Sequence, residues 1–80
     1  MKIFVGNLSQ NMDEKTLNNI FEEFGLVKSV TLVKDFYTNR SRGFAFVEMF
    51  SSQDALAAIE SLNNKTFLGK RIVVNKRERV

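Results

Sequence analysis

The 80-residue sequence contains no cysteine and no histidine, and each absence removes a class of chemistry. Without cysteine the chain has neither a disulfide framework nor a thiolate metal site. Without histidine it lacks the usual general base, the commonest metal ligand and every nucleophile that a histidine activates. These absences argue against a metalloprotein and against most hydrolytic enzymes.

Long apolar runs are also missing. No apolar stretch reaches the roughly 18 residues that indicate a membrane-spanning helix. The first ten residues, MKIFVGNLSQ, hold one lysine but no extended apolar segment and no small-residue cleavage site, so we expect no signal peptide. We therefore expect a cytoplasmic protein that contacts no membrane and contains no metal or cofactor.

The composition is that of an ordinary globular protein, with 44% apolar and 26% charged residues. A chain of this length is near the lower size at which one hydrophobic core is sufficient for folding. We predict one domain over residues 1–80, in which residues 76–80 form a basic C-terminal tail.

The spacing of apolar residues predicts strands and helices in the order β-α-β-β-α-β. Right-handed crossovers place both helices on the same side of one sheet, which gives a sandwich of two layers. The predicted strands cover residues 2–7, 27–34, 44–49 and 71–76, the predicted helices cover residues 13–24 and 51–62, and a small hairpin covers residues 66–70.

The third predicted strand is apolar on both of its faces. Ala45, Val47 and Met49 alternate with Phe44 and Phe46 and therefore point to the opposite side of the sheet. Two helices can cover only one face of the sheet, so the phenylalanine face should be substantially exposed. The predicted core face of the sheet consists of Ile3, Val5, Val30, Leu32, Ala45, Val47, Met49, Ile72 and Val74.

The exposed face should carry aromatic rings and positive charge together. Phe4 on the first strand shares this face with Phe44 and Phe46, and an exposed apolar patch usually marks a binding surface. The predicted helices hold six acidic residues and one basic residue, whereas the rest of the chain holds eleven basic and three acidic residues. Such polarity favours a polyanion. Three aromatic rings beside Lys2 and Arg42 would suit flat aromatic ligands attached to negative charge.

Two short segments resemble the sequence motifs of the RNA recognition motif family. RGFAFVEM, residues 42–49, resembles the family's eight-residue motif, [KR]-G-[FY]-[GA]-F-V-x-[FY], and only Met49 departs from it. IFVGNL, residues 3–8, resembles the family's six-residue motif. Gly43 indicates a position where another chain segment approaches closely. The resemblance covers essentially the whole chain, which looks most like the stand-alone, single-motif proteins of bacteria and cyanobacteria.

The resemblance implies a ferredoxin-like fold, with a four-stranded antiparallel sheet and two helices on one face, that binds single-stranded RNA. Phe4 and Phe46 would each stack on a base, Phe44 would pack against sugars, and Arg42 would pair with a phosphate. Met49 points inward, so its departure from the motif should not weaken binding. The other residues that we predict to bind RNA are Lys2, Arg40, Asn75, Lys76 and Arg77.

Two other functions are alternatives to RNA binding. A protein-binding module would bury the same sheet face against a partner, as some family members do, typically where the sheet aromatics are lost. An acylphosphatase-like enzyme would need a glycine-rich phosphate cradle, which Gly6-Asn7 and Gly69-Lys70 do not form. We therefore predict a monomeric, non-catalytic protein. Single-stranded DNA remains an open alternative ligand, since the choice depends on contacts to the 2′-hydroxyl.

Overall fold

The computed structural model describes residues 1–77, and the last three residues of the predicted basic tail lie outside this range. Within residues 1–77, six strands and two helices follow one another. In order they are β1 (Lys2–Gly6), α1 (Glu14–Glu22), β2 (Val27–Lys34), β3 (Ser41–Met49), α2 (Ser52–Leu62), β4 (Thr66–Phe67), β5 (Lys70–Arg71) and β6 (Val73–Lys76).

Four of the strands form one antiparallel sheet in the order β2-β3-β1-β6. Both helices pack on the same face of this sheet, so the predicted ferredoxin-like sandwich of two layers is confirmed. We call the opposite side of the sheet the open face. The buried core between the layers consists of Ile3, Val5, Leu8, Met12, Leu17, Phe21, Leu32, Ala45, Val47, Met49, Ala55, Ala58, Leu62, Ile72 and Val74.

Helix α1 begins where the sequence predicts and ends earlier. The Asp13 side chain accepts a hydrogen bond from the Thr16 backbone N–H at 2.7 Å and caps the helix. Hydrogen bonding from Thr16 holds the pKa of the Asp13 carboxyl below its usual value. The Phe24 N–H donates to the Phe21 carbonyl three residues earlier, so the last turn tightens after Glu22. Phe24 is partly buried and packs against the core.

Helix α2 is fixed at both ends by side-chain hydrogen bonds. Ser51, rather than Ser52, is the N-cap, and its hydroxyl accepts from the Asp54 N–H at 3.3 Å. The Asn63 side-chain oxygen accepts from the Val74 N–H at 2.9 Å. This second bond joins the end of α2 to β6 and thereby helps to position the edge of the sheet.

The last predicted strand, residues 71–76, is divided in the structure. Lys70–Arg71 pairs with Thr66–Phe67, which confirms the small hairpin, and only Val73–Lys76 joins the main sheet. Ile72 lies between the two strands, where it is buried and its N–H donates to the Lys65 carbonyl at 2.8 Å. Residue 76, where the predicted strand and the predicted tail overlap, belongs to β6.

Gly43 is required for a different reason from the one that the sequence indicated. A Cβ atom at this position would lie 3.6 Å from the Leu8 carbonyl oxygen, which is an ordinary van der Waals distance. The backbone φ of Gly43 is +88°, however, and its carbonyl accepts from the Leu8 N–H at 2.8 Å. The positive φ, not a close approach of chains, is what favours glycine there.

We expect Gly43→Ala to lower the free energy of unfolding by about 1–2 kcal/mol, because an L-residue is strained at positive φ. Urea denaturation of both proteins measures this difference. Gly43→Asn is the matched variant, and it should recover part of the loss because asparagine tolerates positive φ better than alanine. An alanine variant as stable as the wild type would show that the fold does not require the positive φ at residue 43.

None of the helices in residues 1–77 is long and apolar enough to cross a bilayer. The longer one, α2, has 11 residues, against the roughly 20 that a membrane span needs.

Candidate nucleic-acid interface

Three phenylalanine rings pack against one another on the open face. The ring centroids of Phe4, Phe44 and Phe46 lie 5.9 to 6.0 Å apart in all three pairs, and the rings are tilted rather than parallel. Such offset and edge contacts are the favourable geometries for aromatic pairs. We call these three side chains the ring cluster.

The ring cluster is partly buried, not substantially exposed as the sequence led us to expect. Each ring covers part of its neighbours, and Phe4 also lies over the backbone of Gly6. A Cβ atom at Gly6 would sit 2.8 Å from the Phe4 Cε2 atom, so only glycine leaves room for the ring in this position. The sequence pattern did not indicate this role of Gly6.

A single row of side chains crosses all four strands of the sheet at the ring cluster. Phe46 pairs with Thr31 on one side and with Phe4 on the other, and Phe4 in turn pairs with Asn75. Paired residues in an antiparallel sheet point to the same face. The row therefore consists of two central aromatic rings with a hydroxyl at one end and an amide at the other.

Arg77 extends over the ring cluster from the end of β6. Its backbone N–H donates to the Lys2 carbonyl at 3.0 Å, which continues the pairing with β1. Its guanidinium carbon lies 4.4 Å from the centroid of the Phe46 ring, within the range of a cation–π interaction. A positive charge is thus held directly above one of the predicted stacking surfaces.

A shallow cleft of about 250 Å³ lies beside Phe46. Its polar groups come from three strands and from the chain after β6. Glu48 forms an ion pair with Lys28 at 3.7 Å, so part of its charge is balanced. The polar side chains that line the cleft are those of Lys2, Ser29, Thr31, Glu48 and Arg77.

Arg42 and Arg40 lie in different surroundings. Arg42 is exposed on β3, two residues before Phe44. Arg40 instead lines a separate cavity of about 470 Å³ together with Lys34, and the start of α1 contributes the acidic Asp13 and Glu14 to the same cavity. The charge of Arg40 is therefore partly offset.

The register of β6 separates the last three predicted RNA-binding residues. Asn75 pairs with Phe4 and lies on the open face, and Arg77 reaches the same face through its contact with Phe46. Lys76 pairs with Ile3, a fully buried core residue, and so belongs to the side of the sheet that the helices cover. The structure brings Asn75 and Arg77, but not Lys76, to the ring cluster.

Within residues 1–77 no group of three or more acidic side chains is arranged to hold a metal ion.

The model of one protein family, the RNA recognition motif, matches residues 3–73 of the chain. The chain belongs to the RNA recognition motif family. RbpB of Nostoc sp., named for inferred RNA binding, is 49% identical over 95% of this chain and 74% of its own length. RbpA of Synechocystis sp., named in the same way, is 45% identical over 95% of this chain and 75% of its own length.

Solved structures of other RNA recognition motif proteins superimpose closely on the chain. The crystal structure of RNA-binding protein PG1 is 41% identical, covers 100% of this chain and 98% of its own, and has a TM-score of 0.93. A Sex-lethal protein solved as a complex with RNA is 30% identical, with a TM-score of 0.94, and the match covers 99% of this chain and 47% of that one.

In this RNA recognition motif, two residues that line the cleft were not among the predicted RNA-binding residues. Ser29 and Glu48 pair with each other in the sheet and line the cleft beside Phe46. Both have the same parity as their neighbours on the open face, Thr31 and Phe46. The alternation of β3 places Glu48 on the open face from the sequence alone, and the same alternation applied to β2 would have indicated Ser29.

Proposed function

We propose that the chain binds single-stranded RNA on the open face of its sheet and catalyses no reaction. The observation that carries the proposal is the ring cluster, since three touching aromatic rings lie on the one sheet face that no helix covers. The family, the names of the cyanobacterial relatives and the RNA-bound Sex-lethal structure support the same proposal.

Bases would stack on Phe4 and Phe46, and a sugar would pack against Phe44. Stacking is tolerant of sequence because every base has a π face. The polar ends of the row, Thr31 and Asn75, would then lie beside the edges of the stacked bases. A hydroxyl and an amide both donate and accept hydrogen bonds, so these two residues are candidates for base recognition.

The Arg77 guanidinium occupies the Phe46 ring face on which a base would stack. An exposed cation–π contact contributes about 0.5–1 kcal/mol, whereas stacking of a base on an aromatic side chain contributes about 1–3 kcal/mol. The base would therefore displace the guanidinium. Arg77 would then be free to pair with a phosphate, which is the role that we predicted for it from the sequence.

The dependence of affinity on salt separates charge from stacking. For single strands, log affinity falls against log salt with a slope of about −0.7 for each neutralised phosphate. We expect about two to four phosphate contacts for the wild type and thus a slope of roughly −1.5 to −3. Arg42→Ala should make the slope shallower by about one contact. Fluorescence anisotropy at several salt concentrations measures these slopes.

Phe46→Ala is the matched control for the salt experiment. It should lower affinity at every salt concentration and leave the slope nearly unchanged, because stacking releases no counterions. The reverse pattern would make Arg42 a solvated charge without a phosphate partner. A wild-type slope near zero would contradict the electrostatic part of the proposal and favour a protein partner for the open face.

The proposal retains the predicted monomeric state and cytoplasmic location. Analytical ultracentrifugation and cell fractionation test these two expectations.

A further inference from the structure

Two large aromatic side chains lie outside the ring cluster, on the turn between β2 and β3. Phe36 and Tyr37 are each 92% exposed, more than any other exposed large apolar residue of the described chain. Their ring centroids are 5.4 Å apart at an interplanar angle of 86°. The two rings therefore touch each other edge to face while almost all of their surface contacts water. Exposed aromatic surface of this kind, surrounded by polar groups, marks an interaction site.

Hydrogen bonds within the turn hold it in one backbone conformation. The Asp35 carboxylate accepts from the backbone N–H groups of Tyr37 and Thr38 at 2.9 and 3.0 Å. The Asp35 N–H donates to the Arg40 carbonyl at 2.7 Å, and the Asn39 N–H donates to the Asp35 carbonyl at 2.9 Å. Asn39 has the positive φ, 59°, that closes the turn. The rings are thus presented to solvent on an ordered turn.

The charges around the aromatic pair favour a polyanion. In the sequence Lys34, Arg40 and Arg42 flank the pair, and Asp35 is the one acidic residue among residues 34–42. Asp13 and Glu14 line a cavity together with Lys34 and Arg40 and offset part of the charge of those two residues, so we assign the phosphate contact to Arg42. One carboxylate oxygen of Asp35, Oδ1, accepts both hydrogen bonds from the backbone N–H groups of Tyr37 and Thr38. An aromatic pair within a positive surrounding suits a base attached to phosphate better than it suits an apolar protein segment.

The turn is continuous with the open face. Strand β3 leaves the turn at Ser41, so Arg42 is its second residue and precedes Phe44 of the ring cluster by two residues. A phosphate bound by Arg42 would therefore lie between the ring cluster and the aromatic pair.

We propose that Phe36 and Tyr37 form a second stacking site, which takes a further base of the single-stranded RNA whose other bases lie on the ring cluster. This inference rests on the proposed function and extends it, because the ring cluster alone accounts for only two or three bases. The second site lengthens the bound RNA segment and adds affinity only for strands that are long enough to reach it.

The test compares two degenerate RNA pools of different length. The shorter pool has about three nucleotides, which the sheet alone can hold. The longer pool has about eight nucleotides, a length within the range that single-strand-binding domains cover. The double variant Phe36→Ala/Tyr37→Ala should bind the longer pool about 5- to 150-fold more weakly than the wild type, as expected for one lost stacking contact. It should bind the shorter pool like the wild type.

Two further variants make the comparison specific. Leu56→Ala removes an apolar side chain that is 51% exposed on α2, on the far side of the molecule, and should leave both affinities unchanged. Phe46→Ala should weaken both pools. Circular dichroism should show the double variant and Leu56→Ala to be folded, since the turn and Leu56 lie outside the buried core.

Tyr37 also supplies a direct spectroscopic readout, because it is the only tyrosine of the chain. Protein with fluorotyrosine at this position gives one fluorine NMR signal. The longer pool should shift that signal in parallel with binding, and the shorter pool should not.

The outcomes separate this inference from the proposed function. An unmoved fluorine signal at saturation with the longer pool, or equal losses on both pools in the double variant, would overturn the second stacking site alone. If Phe46→Ala bound both pools normally while the double variant lost the longer one, the sheet proposal would fail and the turn would remain an RNA site. A wild type that binds neither pool would overturn both.

Discussion

Phe4→Ala and Phe46→Ala are each expected to weaken the binding of single-stranded RNA about 5- to 150-fold. Each ring supplies the stacking surface for one base, and that contact contributes about 1–3 kcal/mol. The wild-type dissociation constant should be on the order of micromolar, because a short domain stacks only two or three bases and ordering of the strand opposes binding. Fluorescence anisotropy with a labelled RNA pool measures the three affinities.

The partial burial of the ring cluster makes a control for folding necessary. Each ring packs against the other two at about 6 Å, so its loss also removes contacts within the protein. Phe46→Leu retains most of the apolar volume without an aromatic face, and it should fold like the wild type but bind RNA weakly. Wild-type affinity in folded Phe4→Ala and Phe46→Ala proteins would remove the open face as the RNA site.

Phe21→Ala should strongly destabilise the folded state. Phe21 has no exposed surface and is the largest fully buried side chain of the core between the two layers. Truncation of a buried phenylalanine costs about 3–5 kcal/mol, because apolar contacts are lost and a cavity remains. Whole domains are stable by only about 5–15 kcal/mol. Urea denaturation followed by circular dichroism should show a much lower midpoint or no folded baseline.

Phe36→Ala is the matched control for this effect on stability, because the same chemical change occurs at a side chain that is 92% exposed. Its free energy of unfolding should lie within about 0.5 kcal/mol of the wild type, as is usual for surface positions. Similar stabilities of the Phe21→Ala and Phe36→Ala proteins would contradict the position of the core.

The sequence alone predicted the order of the elements, the two layers and the two faces of β3. Ala45 and Val47 are fully buried, whereas Phe44 and Phe46 lie on the open face, as their alternation indicates. These features are predictable because strand alternation and helical spacing are local properties of the backbone, and because two helices cannot cover both sides of a sheet. The family resemblance rested on the same local segments, and the match of the family model to residues 3–73 confirms it.

Only the tertiary structure decided how distant segments meet. The sequence pattern did not indicate whether Phe36, between two predicted strands, or Phe67, in the predicted hairpin, would be buried. In the structure Phe67 packs against the core, whereas Phe36 is exposed. The register of β6 placed Asn75 beside Phe4 and Lys76 beside Ile3, and the chain beyond β6 carried Arg77 onto Phe46. Register and contacts of this kind depend on which strands pair and on where a strand is interrupted, as at Ile72. They are set by the packing of the whole chain, whereas the pattern of residues along one strand determines only which side of the sheet each side chain occupies.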